Sequence, residues 1–185
     1  MESDLQWIVT RIDGKIASVS LDYQAFAGLM KRITALPAKT IDEISCRKIS
    51  TSELFQLSES LQMEDLRWVG TPFQVFVWRK LFELTHGENA HPMLLSYAEF
   101  AQKIGKGTAV RQVAHAIAMN PICFIVPCHL IIPKESVERL RQIESENGLF
   151  KWKALYIVDE KVDYGEYICG RDVKRMLIRK QLYKL

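Results

Sequence analysis

No stretch of this sequence is apolar for long enough to cross a bilayer, which takes about 20 consecutive residues; charged or polar side chains interrupt every hydrophobic run sooner. Nor does the start carry a basic segment followed by an apolar one, the mark of secretion, so a cytoplasmic protein is expected, or a nuclear one if the source is a eukaryote. Cysteine is scarce: Cys46, Cys123, Cys128 and Cys169 are the only four. They form no CxxC pair and no tight Cys/His group, which argues against a structural zinc site and a disulfide framework. We expect no metal, no cofactor and no membrane partner. Low-complexity and disorder-type segments are missing as well. With 48% hydrophobic and 25% charged residues over 185 positions, the chain has the make-up of an ordinary globular protein, with room for one large domain or two small ones. The net charge of +3 admits a nucleic-acid partner without requiring one, because only a local basic patch matters.

What the chain does have is a concentrated stretch from Asn120 to Pro133, with a thiol directly beside an imidazole at Cys128-His129. A thiolate attacks and a thiol hardly does, so a neighbouring base that takes the proton makes cysteine a nucleophile. Ile122 to Val126 is an apolar run stopped by Pro127 and predicts a buried strand with the Cys-His pair at its end, where scaffold gives way to loop. An isolated Cys-His pair is more often packing than chemistry. Its context decides the matter.

Before that stretch, Leu5–Ile12 and Lys15–Leu21 flank Asp13-Gly14 and predict a β-hairpin. A helix over Tyr23–Leu36, a strand within Ile41–Ile49 and a helix capped by Ser50-Thr51-Ser52 and running to Leu61 complete a small α+β unit. Thr71-Pro72 then opens a helix extending to about Thr85, with Phe73, Phe76, Val77, Leu81 and Leu84 on one face. A second helix starts at Ser96 and stops at Gly105, and a third runs from Thr108 to about Met119. Two such helices joined by a short glycine-containing turn have the helix-turn-helix pattern, whose second helix enters a DNA groove. Val110, Val113, Ala114 and Ile117 fall on the buried side of the third helix, which leaves Arg111, Gln112 and His115 outward. Arg111 and Gln112 are the long polar donors that phosphate and base contacts need.

The ordered set Gly70-Thr-Pro-Phe-Gln74, Val77-Trp78, Gly87-Glu88, Ser96-Tyr97, Ala109-Val110-Arg111, Asn120-Pro121 and Pro127-Cys128-His129 resembles the C-terminal domain of the O6-alkylguanine-DNA alkyltransferases, also called methylated-DNA-protein-cysteine methyltransferases, from about Gly70 to Glu160. The resemblance implies an α+β protein. A small N-terminal α/β domain, RNase H-like in the family, would occupy residues 1–67. A mostly helical DNA-binding and alkyltransferase domain, with a helix-turn-helix and a short strand carrying the active cysteine, would occupy 68–160, and a basic C-terminal extension 161–185. It implies stoichiometric, irreversible transfer of an alkyl group from O6 of guanine in double-stranded DNA to Cys128, by a monomer. His129 would take the thiol proton through a water, and Asp159 or Glu160 would orient the imidazole. Asn120 would join the recognition helix to the cysteine segment. Arg111 would fill the gap left by the flipped nucleotide, Tyr97 would turn the target phosphate, and Gln112 and Thr108 would contact DNA.

The chain also departs from the family. Leu130 follows Cys-His where an arginine is usual, and Lys134–Asn147 is charged and helix-like where a Gly/Tyr/Ser loop lines the base pocket, leaving Ser145 or Glu146 as substitutes. The last 25 residues are rich in Arg and Lys and predict a terminal helix with a solvated basic face or, alternatively, a phosphate-binding one. Two other functions compete with repair. A lesion-binding homologue without transfer would lack the cysteine, and a helix-turn-helix regulator would leave Pro127-Cys128-His129 without a purpose.

Overall fold

Asp13 and Gly14 both take positive φ, 50° and 77°, the left-handed pair that a two-residue hairpin turn demands. They join strand β1 (Gln6–Ile12) to β2 (Lys15–Ser20), and β3 (Ile44–Ser50) lines the other side of β1, all antiparallel. The sheet order is β2-β1-β3, and the central strand is buried on both faces: Trp7, Ile8, Val9 and Ile12 are 4% exposed or less. Asp13 does a second job, since its carboxylate accepts from the Asp42 and Glu43 amides at 3.0 and 3.2 Å and so fixes where β3 begins. The computed structural model describes residues 5–21, 23–34, 41–87, 90–147 and 162–183.

Helix α1 (Tyr23–Thr34) packs Leu29 and Ile33 with Ile12, Ala17 and Val69. Ser50 starts α2 (Thr51–Ser60) through a capping box with Glu53, and Thr71 starts α3 (Pro72–Phe82) the same way with Gln74. Each box satisfies two amides that a helix start would otherwise leave open. Val77, Trp78, Leu81 and Phe82 are the buried face of α3; Phe73 and Phe76, expected on that face, are half-buried. Gly70, just before this helix, is required sterically: a Cβ there would lie 2.5 Å from the ring of the wholly buried Trp78.

Contacts divide the chain into Met1–Ala90 with Met119–Cys128, and His91–Ala118 with His129–Leu185. The first unit thus takes in more than residues 1–67, because Ile122 bridges Val19 and the Val19 and Cys123 amides bond across to Pro121 and Val19 at 2.9 and 3.1 Å.

In the second unit β4 (Leu95–Ser96) runs parallel to β5 (Ile131–Ile132). A Ser96–Glu99 capping box starts α4 (Tyr97–Lys103), which ends at Gly105 with φ 71°. A 3-10 turn, Gly107–Ala109, leads into α5 (Val110–Ala118), a helix that starts two residues later than Thr108. The charged segment forms α6 (Lys134–Asn147) and the basic tail α7 (Arg171–Tyr183). This tail is the expected terminal helix, with Arg171 exposed and a buried face besides. Ile178 joins Ile132, Val137, Leu140, Val162 and Tyr164 in a core cluster, and Leu177 is wholly buried. Among the described residues no helix is long and apolar enough to span a membrane.

Candidate functional site

The run before Cys128 is buried, as its composition requires, but it is not the strand expected over Ile122–Val126. Val126 N–H returns to Ile122 O at 3.0 Å and Ile125 N–H to Cys123 O at 2.9 Å, closing a tight turn with Phe124 at φ 69°. The physical reason is Asn120. Its Oδ1 accepts from Ile122 N–H at 3.0 Å and its Nδ2 faces Val126 O at 3.0 Å and Ile122 O at 3.4 Å, so a side chain supplies partners that a neighbouring strand would have given. Phe124, a non-glycine residue in the left-handed region, packs its ring against that of Phe55 at a tilt of 43°, with centroids 4.3 Å apart.

The same amide reaches the thiol, with Asn120 Nδ2 3.0 Å from Cys128 Sγ. An amide nitrogen carries two hydrogens, so the two shorter contacts, to Val126 O and Sγ, use them. An N–H aimed at sulfur stabilises negative charge developing there. Cys128 opens a 3-10 turn with His129 and Leu130, and it is only 6% exposed. A reactant must therefore be brought to it.

His129 is wholly buried, and its Nε2 lies against Oε1 of Gln181. Tyr167 meets the ring edge-on. Lys174, 1% exposed, donates to Ile131 O at 2.8 Å. Burial pushes the imidazole down to about 3; the hydrogen bond to Gln181 opposes this and the positive charge of Lys174 adds to it. The ring is neutral at physiological pH. Gln181 and Lys174 escaped the sequence reading, although Lys174, Leu177, Ile178 and Gln181 recur at i, i+3, i+4 and i+7, the spacing of a buried helical face. Asp159 and Glu160 lie outside the described residues.

The residues expected to meet nucleic acid all belong to the second unit. Tyr97, half-buried, is the first residue of α4. Thr108 is exposed in the turn before α5, and Arg111 and Gln112 are exposed in the first turn of that helix. Its buried side is Val113, Ala116 and Ile117, so Ala116 takes the inner place expected for Ala114. Arg141 of α6 pairs with Glu99, which also accepts from Ser96 N–H and Oγ at 2.8 and 2.9 Å, tying α6 to the start of α4. Burial raises the Glu99 carboxyl, but these bonds outweigh it and hold the group below its usual range. Ser145 turns its hydroxyl back to Gln142 O at 2.7 Å, on its own helix; the side chain of Glu146 lies outside the described residues. Among the described residues no group of His, Cys, Asp and Glu is arranged to hold a metal ion.

The chain is similar in sequence and fold to known proteins. Residues 72–162 match the family described as 6-O-methylguanine DNA methyltransferase, DNA binding domain. The inducible methylated-DNA-protein-cysteine methyltransferase of Bacillus subtilis (strain 168) is 35% identical over 96 residues, 52% of this chain and 48% of that protein. The corresponding protein of Methanosarcina barkeri (strain Fusaro / DSM 804) is 34% identical over 114 residues, 56% of this chain and 69% of its own length. The chain spans about half the length of the first curated relatives it matches, 45% to 48%. A mixed helix-and-strand fold is shared with the crystal structure of O6-methylguanine-DNA methyltransferase from Pyrococcus kodakaraensis strain KOD1, at TM-score 0.52 and 18% identity over 98% of this chain and 94% of that one. The chain belongs to the methylated-DNA-protein-cysteine methyltransferase family.

Proposed function

We propose that this protein repairs DNA by taking the alkyl group, methyl in the simplest case, from O6 of guanine in double-stranded DNA onto Sγ of Cys128, once and irreversibly. The observation that carries this reading is the buried Cys128 sulfur held at 3.0 Å from the Asn120 amide, next in sequence to a neutral, buried imidazole, in a chain of this family. In the transfer the S–C bond forms as the C–O6 bond breaks, and guanine departs with its electron pair. The thiol proton leaves toward His129 through a water. A neutral imidazole with Lys174 nearby does not hold a standing positive charge, so proton loss accompanies attack rather than preceding it. Asn120 stabilises the charge passing through sulfur.

The α4-turn-α5 segment is the helix-turn-helix of this reading, with α5 in the groove. Arg111 occupies the space of the extruded nucleotide, Tyr97 turns its phosphate, and Gln112 and Thr108 contact the backbone beside it. Extrusion is needed because the reacting atom cannot be reached inside the stack. Residues 68–160 are the transferase domain, the first 67 residues are its RNase H-like structural partner, and the protein acts as a monomer in the compartment that holds DNA. Incubation with a duplex carrying one O6-methylguanine tests the activity: each chain should gain one methyl by intact mass and stop. Catalytic turnover beyond one equivalent, or no transfer, contradicts the proposal.

A further inference from the structure

Strand β3 passes directly into α2 at the Ser50 cap, and the two enclose a cleft against β1. The antiparallel register sets Val9 opposite Arg47 and Arg11 opposite Ser45, which puts these side chains and Ile49 on one face of the sheet. Between that face and Glu53 and Leu57 of α2 the cleft has a volume of about 630 Å³, within the range of small-molecule sites. Its floor is apolar: Val9 and Ile49 are 4% and 6% exposed, and Leu57 is half-buried. Its rim is charged and open to solvent, with the side chains of Arg47 and Glu53 exposed by 77% and 48%.

Two cations meet one anion here, and the anion is already engaged. Glu53 Oε2 accepts from Ser50 N–H at 2.7 Å and Oε1 from Arg47 Nη2 at 3.3 Å. Hydrogen bonds from Ser50 hold its carboxyl below the usual range, so it stays ionised. Arg11 gives Nη1 to Gly14 O at 2.8 Å, and a guanidinium has further N–H groups to offer after one such bond. The cleft is left with a net positive charge that a single carboxylate neutralises and a doubly charged phosphate monoester exceeds.

We propose that this cleft binds a small organic carboxylate, its apolar body resting on Val9, Ile49 and Leu57 and its carboxylate held between Arg11 and Arg47. The site is independent of the function proposed above, since none of these residues takes part in alkyl transfer.

Backbone amide NMR of the full chain, titrated with hexanoate and phenylacetate, tests the site. Both should give saturable shifts centred on Val9, Arg11, Arg47, Ile49 and Leu57. Hexanamide, of the same length without the charge, should give none. Arg11→Gln and Arg47→Gln should each weaken hexanoate binding about tenfold, and Arg47→Lys, which keeps the charge without the fork, should recover part of that loss. The absence of saturable shifts with either carboxylate overturns the proposal, as do shifts centred elsewhere or an affinity unchanged in both glutamine variants. Binding of hexanamide as tight as that of hexanoate would remove the charge recognition and contradict it. Tighter binding of phenyl phosphate than of phenylacetate would contradict the choice of a carboxylate.

Discussion

Asn120 is the residue on which the cysteine turn depends, because three backbone or sulfur partners face one buried side chain. Asn120→Ala strands the Ile122 amide and the Val126 carbonyl away from water, at about 1–3 kcal/mol for each unsatisfied group. The urea midpoint should fall accordingly and transfer should be nearly lost. Asn120→Asp keeps the acceptor for Ile122 but turns a negative charge toward Sγ, so it should retain more stability than Asn120→Ala and still transfer slowly. His129 makes a pH prediction. An unfolded histidine takes up a proton below about 6.5, whereas the buried ring resists until about 3. Protons therefore favour the unfolded chain as pH falls from 6.5 toward 3, and stability should drop by up to about 1.4 kcal/mol per pH unit from this group. His129→Gln should flatten that slope in urea melts taken at pH 7, 6 and 5. Cys128, His129 and Asn120 were legible because they are close in sequence and their chemistry is distinctive. Gln181 was not: it lies 52 positions from His129, and no local pattern states which buried polar groups will pair.

Among the elements, helix starts could be read because a cap is a local device. Thr71 with Gln74, Ser96 with Glu99 and Ser50 with Glu53 each declare themselves three residues apart. The turn over 122–126 could not, since five apolar residues read equally well as a strand until the Asn120 side chain replaces the ladder partners. Helix α7 is the expected terminal helix and Arg171 keeps a solvated side, but its buried face was missed, where Lys174 sets its ammonium on a carbonyl. Gly70→Ala tests the packing of α3: with Trp78 unable to yield, overpacking should cost about 1–3 kcal/mol, read as a lowered Tm. Arg111 on α5 tests its assigned part in nucleotide extrusion. Unstacking costs a few kcal/mol that an inserted side chain helps to offset and a free base never incurs. Arg111→Ala should slow repair of O6-methylguanine in duplex DNA far more than reaction with free O6-benzylguanine. Equal losses would assign Arg111 to the fold or the thiol.

For the molecule as a whole, a net charge of +3 gives little long-range attraction, so the DNA binding proposed above would have to come from local phosphate contacts. Binding to duplex should fall as salt rises and vary little with sequence, as counterion release requires; strong sequence preference at high salt would favour a regulator over a repair protein. The mixed helix-and-strand class was readable from alternating periodicity, while the grouping of residues 119–128 with the N-terminal sheet was not, because it rests on long-range bonds to Val19. The central claim is that one sulfur, that of Cys128, receives the alkyl group. Exposure to duplex bearing isotopically labelled O6-methylguanine, followed by peptide mapping, measures it directly. The label should sit on Cys128 alone, and Cys128→Ala should bind the same DNA and carry none. Label on Cys46, Cys123 or Cys169, or on the Cys128→Ala protein, would contradict the claim.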